Sequence, residues 1–466
     1  MFEPLLAATA LVLTAGMTVA YRRTHDILHP LLFLGPLFLY STVLEPWLVR
    51  NQLDRFFADR EDVEVVLYLY LLSVAALVIG VLHRTHTRRA GEQGRVPIRL
   101  RDRMHLQRIA IWLATVGLAA YAYGILNVGG FVAAFSRIKG GGETGSGYIN
   151  EAMNLGLVAA ALVALSRYRR GWTQGTLILL FLGLLPNLVQ GTFGGRRGPL
   201  FLALTALMVA WLITRPQRPR LLALGCALVC VCLSVAGVWS QRKLLYLGSD
   251  EEANWGAFQT TLSQEEIDEG SNFVYGAGFV TAIRYSGQFT WGRELVVNLL
   301  VRPIPKQLWP TKYEDAGADW VTNEYPGLGH LTIDDWLNAV GWLPLEGSSA
   351  ISIADLFGEF GWGAVLVVYL VGRGFAFLRS RRLSRGGVWD LLYFEALILS
   401  IYLATQSFSA FYHRYLILAV PTIVAWKLFM HRTSRLQRVP LRVGTDRALP
   451  SANGLATSQA RSPLLG

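Results

Sequence analysis

The chain has 466 residues, of which 53% are hydrophobic and only 16% are charged, and its 43 Lys and Arg residues outnumber its 32 Asp and Glu residues by 11. An average globular domain carries about 25% charged residues, so the composition excludes an ordinary soluble enzyme. Apolar runs recur along nearly the whole sequence, and the mean hydropathy is +0.37. We therefore predict a single integral membrane domain over residues 1–430.

A helix needs about 20 mostly apolar residues to cross the hydrocarbon core of a bilayer. Eleven segments meet this requirement, so the predicted fold is an all-α polytopic membrane protein with about 11 transmembrane helices. The predicted spans are 5–21, 28–49, 63–82, 109–127, 148–166, 174–190, 198–214, 221–239, 351–377, 388–404 and 415–430. Lys and Arg concentrate in alternate loops, which predicts an external N-terminus. Residues 431–466, which contain Arg, Ser and Pro, are then predicted to form a disordered cytoplasmic tail.

The sequence lacks the motifs of soluble nucleotide and zinc chemistry. It has no GxxxxGK[ST] loop and no HExxH. Cys226, Cys230 and Cys232 crowd into one apolar stretch without histidines, which indicates small buried side chains. We expect no metal, no cofactor and no nucleic-acid partner.

Residues 240–350 are predicted to form one large outer loop, inserted between predicted spans eight and nine. This loop holds six of the chain's 14 tryptophans, and because disordered segments are poor in aromatics, we predict that it is ordered. Its rings, among them Trp309, either lie at the membrane interface or serve as stacking platforms for sugars. Both roles are compatible.

Cations are spaced regularly within this loop. Arg284, Arg293 and Arg302 are nine residues apart, so neighbours in the series would point to opposite faces of a helix, and a single straight helix cannot gather all three. Pro303 and Pro305 break any helix. They impose a stiff turn that is predicted to gather Arg302, Lys306 and Lys312. The apolar but charged segment 273–301 is predicted to be interfacial or re-entrant.

Two arginines stand in a glycine-rich turn directly before predicted span seven. The stretch GTFGGRRGPLFLAL places Arg196 and Arg197 at a helix N-terminus with Pro199 in its first turn. Free backbone N–H groups and guanidinium donors together favour an anion. The alternative is that these arginines only flank the span.

Further ionisable residues mark the ends of the last spans. His413 and Arg414 are predicted at the outer mouth of span eleven, where a histidine suits a general base or a bond to backbone. Asp355 and Glu359, four residues apart, would share one helix face. They are expected to accept an arginine, act as a base or cap a helix N-terminus.

Three stretches in this order resemble the Wzy-type O-antigen polymerases, also called oligosaccharide repeat unit polymerases, which are related to O-antigen ligases. They are GTFGGRRGPLFLALTAL at 191–207, VRPIPKQLWPTK at 301–312 and SIADLFGEFGWGAVLVVYLVG at 352–372. The resemblance covers roughly residues 180–430. It implies a membrane glycosyltransferase fold of the C superfamily in the bacterial inner membrane, with its active site on the periplasmic side.

The resemblance also implies a reaction. A polyprenyl-diphosphate-linked glycan would be polymerised by an inverting, metal-independent transfer, with Arg196, Arg197 and Arg284 stabilising the departing diphosphate and His413 as the candidate base. The expected substrate-binding residues are Arg302, Lys306, Trp309, Lys312, Asp355, Glu359 and Arg414. The expected partners are the lipid-linked glycan, the bilayer, a chain-length regulator and a flippase. An O-antigen ligase and a lipid-linked glycan transporter are the alternatives.

Overall fold

The structure is a computed structural model that describes residues 1–83, 100–136, 140–142, 147–167, 171–214, 271–322, 327–345 and 348–435, with the single positions 230, 233, 234, 237 and 247. Every regular element within these ranges is helical. Nine helices there are long and apolar enough to cross a membrane. The chain is therefore a multi-pass helical membrane protein.

The helices are numbered in chain order. The first ten are α1 (Phe2–Thr24), α2 (Pro30–Leu39), α3 (Glu45–Val49), α4 (Arg60–Leu82), α5 (Leu100–Asn127), α6 (Phe131–Phe135), α7 (Gly147–Ala152), α8 (Leu155–Ser166), α9 (Gln174–Thr192) and α10 (Arg197–Thr214). The others are α11 (Asn272–Ser286), α12 (Arg293–Val296), α13 (Lys312–Asp315), α14 (Ile333–Val340), α15 (Ser352–Phe360), α16 (Ala364–Arg385), α17 (Val388–Leu399), α18 (Ile401–Thr405) and α19 (Phe408–Arg435). π-helical turns follow α2 and α12, at Tyr40–Leu44 and Val297–Val301.

Nine of the eleven predicted spans correspond to membrane-length helices in the described part of the chain. Predicted span seven is a shorter apolar helix over Gly198–Leu212. Predicted span eight, 221–239, lies almost wholly outside the described residues. Helix α19 continues to Arg435, past the predicted start of the tail at residue 431, and basic residues in its last turn complement the helix dipole. Residues 436–466 lie outside the described residues.

Two ion pairs agree with the alternating topology, because each joins residues that are predicted on the same side of the membrane. Arg379 pairs with Asp26 at 3.2 Å, and both belong to segments predicted on the inner side. Arg284 pairs with Asp62 at 2.8 Å, and both belong to segments predicted on the outer side. We therefore call these two faces of the bundle inner and outer.

The ninth predicted span contains a sharp break. Helical residues run from Ser352 to Arg385, 34 in all, and a straight helix of that length would measure about 51 Å, far more than the ~30 Å hydrocarbon core. Gly361 interrupts the helix with a φ of 56°, a conformation that glycine adopts without strain. Helix α16 is long enough to cross the bilayer alone, which leaves α15 to pack in an outer layer with α11 and α14.

Aromatic side chains form the core of this outer layer, as expected of an ordered loop. Trp336 is fully buried and stacks on Tyr275 with ring centroids 5.6 Å apart. The indole N–H of Trp342 donates to the Phe56 carbonyl at 2.8 Å. These rings are thus unavailable as open platforms, whereas Trp291 remains 72% exposed.

Helices α4 and α16 approach closely through glycines. A Cβ atom on Gly372 would lie 2.7 Å from the Leu77 carbonyl oxygen, whereas a Cβ on Gly374 in the same helix would meet no atom within 4 Å. We expect Gly372→Ala to lower the free energy of unfolding by about 1–3 kcal/mol. The matched Gly374→Ala variant should be neutral or slightly stabilised. Thermal unfolding in detergent measures both, and equal behaviour of the two variants would contradict the packing.

Candidate functional site

Two carboxylates of α15 cap neighbouring segments of the outer layer. Asp355 accepts hydrogen bonds from the backbone N–H groups of Phe408 at 2.8 Å and Ser409 at 3.3 Å, at the start of α19. Glu359 accepts from the N–H groups of Gly292 at 2.7 Å and Leu295 at 3.1 Å, at the start of α12. These contacts support a helix-capping role. Each carboxylate of α15 caps the N-terminus of a different helix, α19 for Asp355 and α12 for Glu359.

A third carboxylate, Glu294, lies beside them. Its side chain is half-buried. Burial raises the pKa of Glu294 to about 7, nearby Glu359 adds to this rise, and Asn298 and Arg302 oppose it. A carboxylate with a pKa near 7 is suited to act as a general base. Sequence reasoning missed this residue, since its only signal was a charge within an apolar segment.

The outer end of α19 brings a histidine and an arginine to the same region. His413 and Arg414 lie within the first two turns of the helix. The Nε2 atom of His413 is buried without a hydrogen-bond partner in the described part of the chain, and Arg302 is within electrostatic range. Tyr412, beside it, is within electrostatic range of Glu294 and both capping carboxylates.

Arg414 is held by residues that the sequence analysis did not select. Its Nε atom lies 3.1 Å from a carboxylate oxygen of Glu151 on α7. Its guanidinium lies 4.4 Å from the centre of the Tyr402 ring. Arg414 therefore has a fixed position at the edge of the site, and its partner Glu151 offsets its charge.

We define the outer cluster as six residues contributed by three segments of the outer face. They are Glu294, Arg302, Asp355, Glu359, Tyr412 and His413. Arg302 is exposed and donates to Asn298 at 3.3 Å. The cluster thus brings the Arg302 cation and the His413 imidazole close to three carboxylates on the outer face.

The glycine-rich turn before α10 lies next to this region. A Cβ atom on Gly198 would lie 3.8 Å from the Tyr402 hydroxyl, and Tyr402 in turn stacks on Arg414. Arg196 is exposed and within electrostatic range of Tyr121. The side chain of Arg197 lies outside the described part of the structure. The predicted anion turn is therefore connected through Tyr402 to Arg414, the residue that follows His413 of the outer cluster.

No single straight helix carries the three regularly spaced arginines, as predicted: Arg284 is in α11, whereas Arg293 begins α12 and Arg302 follows the π-helical turn that continues it. Arg284 pairs with Asp62 on α4, and Arg293 donates to the Ala316 carbonyl at 3.1 Å. Only Arg302 joins the outer cluster. Because Arg284 is paired with Asp62, the proposed site does not include Arg284.

The proline turn gathers its cations as predicted but uses one of them differently. Lys312 is 2% exposed, and its ammonium donates to the carbonyl oxygens of Arg302, at 2.9 Å, and Ile304. The expectation that Lys312 binds substrate is therefore corrected, because its ammonium group donates to backbone carbonyl oxygens. Lys306 remains exposed, 5.6 Å from the centre of the Tyr313 ring.

Trp309 also has a structural partner. Its ring is half-buried and packs against a small apolar core of the loop that includes Val297, Val301 and Ala318. Its indole N–H donates to Asp315 at 2.6 Å. These contacts support a packing role rather than the expected sugar platform.

Comparisons with protein-family models, with curated proteins and with solved structures find no match to this chain. The function of the outer cluster is therefore inferred from its own residues.

Proposed function

We propose that the protein polymerises polyprenyl-diphosphate-linked oligosaccharide repeat units at the outer face of a bacterial inner membrane. The observation that carries this proposal is the juxtaposition of Arg302, Glu294 and His413 at the outer end of a membrane bundle. A lipid-linked donor would present its diphosphate at this depth, next to the bilayer surface. The sequence resemblance over residues 191–207, 301–312 and 352–372 supports the same reaction.

The proposed reaction is an inverting glycosyl transfer. An acceptor hydroxyl attacks the anomeric carbon as the bond from that carbon to the diphosphate oxygen breaks, and the hydroxyl proton passes to Glu294 or His413. The diphosphate leaves with both electrons of the broken bond. Arg302 and Arg196 would stabilise the negative charge that develops on it.

A transfer assay with defined acceptors tests the reaction class. Purified protein in detergent is given a polyprenyl-diphosphate-linked repeat unit, and the products are separated by size. A ladder of lengthened glycans supports the polymerase. Transfer that requires an added lipid A core would instead make the protein a ligase, and neither product from folded protein would favour a transporter.

A further inference from the structure

Helix α9 carries two buried amide side chains near its outer end. Asn187 is fully buried and Gln190 is 3% exposed. Neither polar atom of the Asn187 amide has a hydrogen-bond partner within the described residues, and the same holds for Oε1 of Gln190. Asn154, before α8, adds another unpartnered oxygen while its Nδ2 donates to Glu151 at 2.8 Å.

The packing of α8 against α9 places these amides at one level of the bundle. The two helices cross where a Cβ atom on Gly156 would lie 1.7 Å from the Gly183 carbonyl oxygen. They run in opposite directions, so Asn187, about one turn beyond Gly183, is level with the start of α8. A Cβ on Gly141 would lie 2.9 Å from Nε2 of Gln190, which places this amide against the 140–142 segment.

Unpartnered amides are strongly unfavourable inside a membrane bundle, where no bulk water can satisfy them. A ligand group that satisfies the Asn187 amide has to accept from Nδ2 and donate to Oδ1. The nearest carboxylate in these contacts, Glu151, already binds Arg414 and Asn154. A neutral hydroxyl group, which donates and accepts at once, fits this set better than an ion.

We propose that Asn154, Asn187 and Gln190 bind sugar hydroxyl groups of the lipid-linked glycan. This inference rests on the proposed function and adds a sugar-binding site to it. The position suits the ring next to the diphosphate, because Gln190 is less than two helical turns before the turn that carries Arg196. At that turn a Cβ on Gly194 would lie 2.6 Å from the Gly140 carbonyl oxygen, so the turn packs on the same 140–142 segment.

Binding to two lipid probes tests the site without turnover. One probe is a polyprenyl diphosphate that bears the repeat unit, and the other is the same lipid without sugar. Asn187→Leu removes both amide groups at similar volume, and we expect it to weaken binding of the sugar-bearing lipid at least tenfold while the bare lipid changes less than twofold. Gln190→Met should act in the same direction, and it replaces Asn187→Leu if that variant does not fold. Ser73→Ala, a buried hydroxyl variant on α4, is the matched control and should bind both lipids as the wild type does.

Each other outcome overturns the inference. Unchanged binding of the sugar-bearing lipid by both variants would mean that water alone occupies the amides. Equal weakening of both lipids would assign the site to the diphosphate. A folded wild-type protein that binds neither lipid would overturn the proposed function itself, and the sugar site with it.

Discussion

Glu294→Gln is expected to lower the transfer rate by at least about 100-fold, the usual range for loss of a general base. The wild-type rate should rise with pH through an apparent pKa of about 7, because burial and nearby Glu359 raise the pKa of Glu294 to that value and only the ionised carboxylate accepts the proton. The variant should lack this rise. A pH–rate profile of purified protein measures both effects, and a variant with the wild-type rate and profile would shift the role of base to His413.

Stability provides an internal control for the same variant. A carboxyl whose pKa is higher in the folded state than in the unfolded state, here near 4.5, favours folding fully below pH 4.5 and loses that contribution as pH rises through 7. Glu294→Gln should therefore be more stable than wild type at pH 8 and similar to it at pH 4. Lost activity with greater stability at pH 8 would separate a catalytic role from misfolding.

Arg379→Met is expected to lower the free energy of unfolding by about 1–3 kcal/mol, because it removes the hydrogen bonds to the largely buried Asp26 carboxylate while Arg382 remains nearby. The Arg379 and Asp26 side chains are only 6% and 14% exposed, 3.2 Å apart on the inner face. Burial raises the pKa of Asp26, but Arg382 and Arg379 lower it further, so the net pKa lies below its ordinary value. The pair joins the α1–α2 loop to α16.

The double variant Arg379→Met with Asp26→Asn tests the cause, because it removes both charges. We expect it to recover part of the lost stability in denaturant or thermal unfolding. The stabilisation from Asp26 is present above its unfolded pKa of 3.8 and is lost as pH falls through the lower folded value. Equal damage from the single and double variants would mean that packing, rather than charge, holds this loop.

Hydropathy alone was sufficient to predict the bundle, because the cost of placing polar backbone in lipid makes long apolar runs helical. Nine predicted spans correspond to membrane-length helices within the described ranges. The break at Gly361 was not predicted, since a glycine in an apolar run is compatible with a continuous helix. It is this break that assigns Asp355 and Glu359 to the outer layer.

The candidate site was less predictable. The two prolines correctly predicted a turn that brings Arg302 and Lys312 together. The direction of the Lys312 ammonium could not be predicted, because it depends on backbone carbonyl groups that only the folded loop brings together. Neither Glu294 nor Glu151 was predicted as a site residue, because a lone acid has no sequence pattern. Their roles come from neighbours distant in the chain, Glu359 for the first and Arg414 for the second.

The most direct test of the outer cluster compares two arginines of the same face. Arg302 belongs to the cluster, whereas Arg60 is exposed and pairs with Asp54 at 2.9 Å away from it. With the polyprenyl-diphosphate-linked repeat unit as donor, we expect Arg302→Ala to lower the rate at which lengthened glycans form by about 100-fold or more. Arg60→Ala should form them at the wild-type rate. A full ladder from folded Arg302→Ala protein would contradict the assignment of diphosphate stabilisation to this cluster.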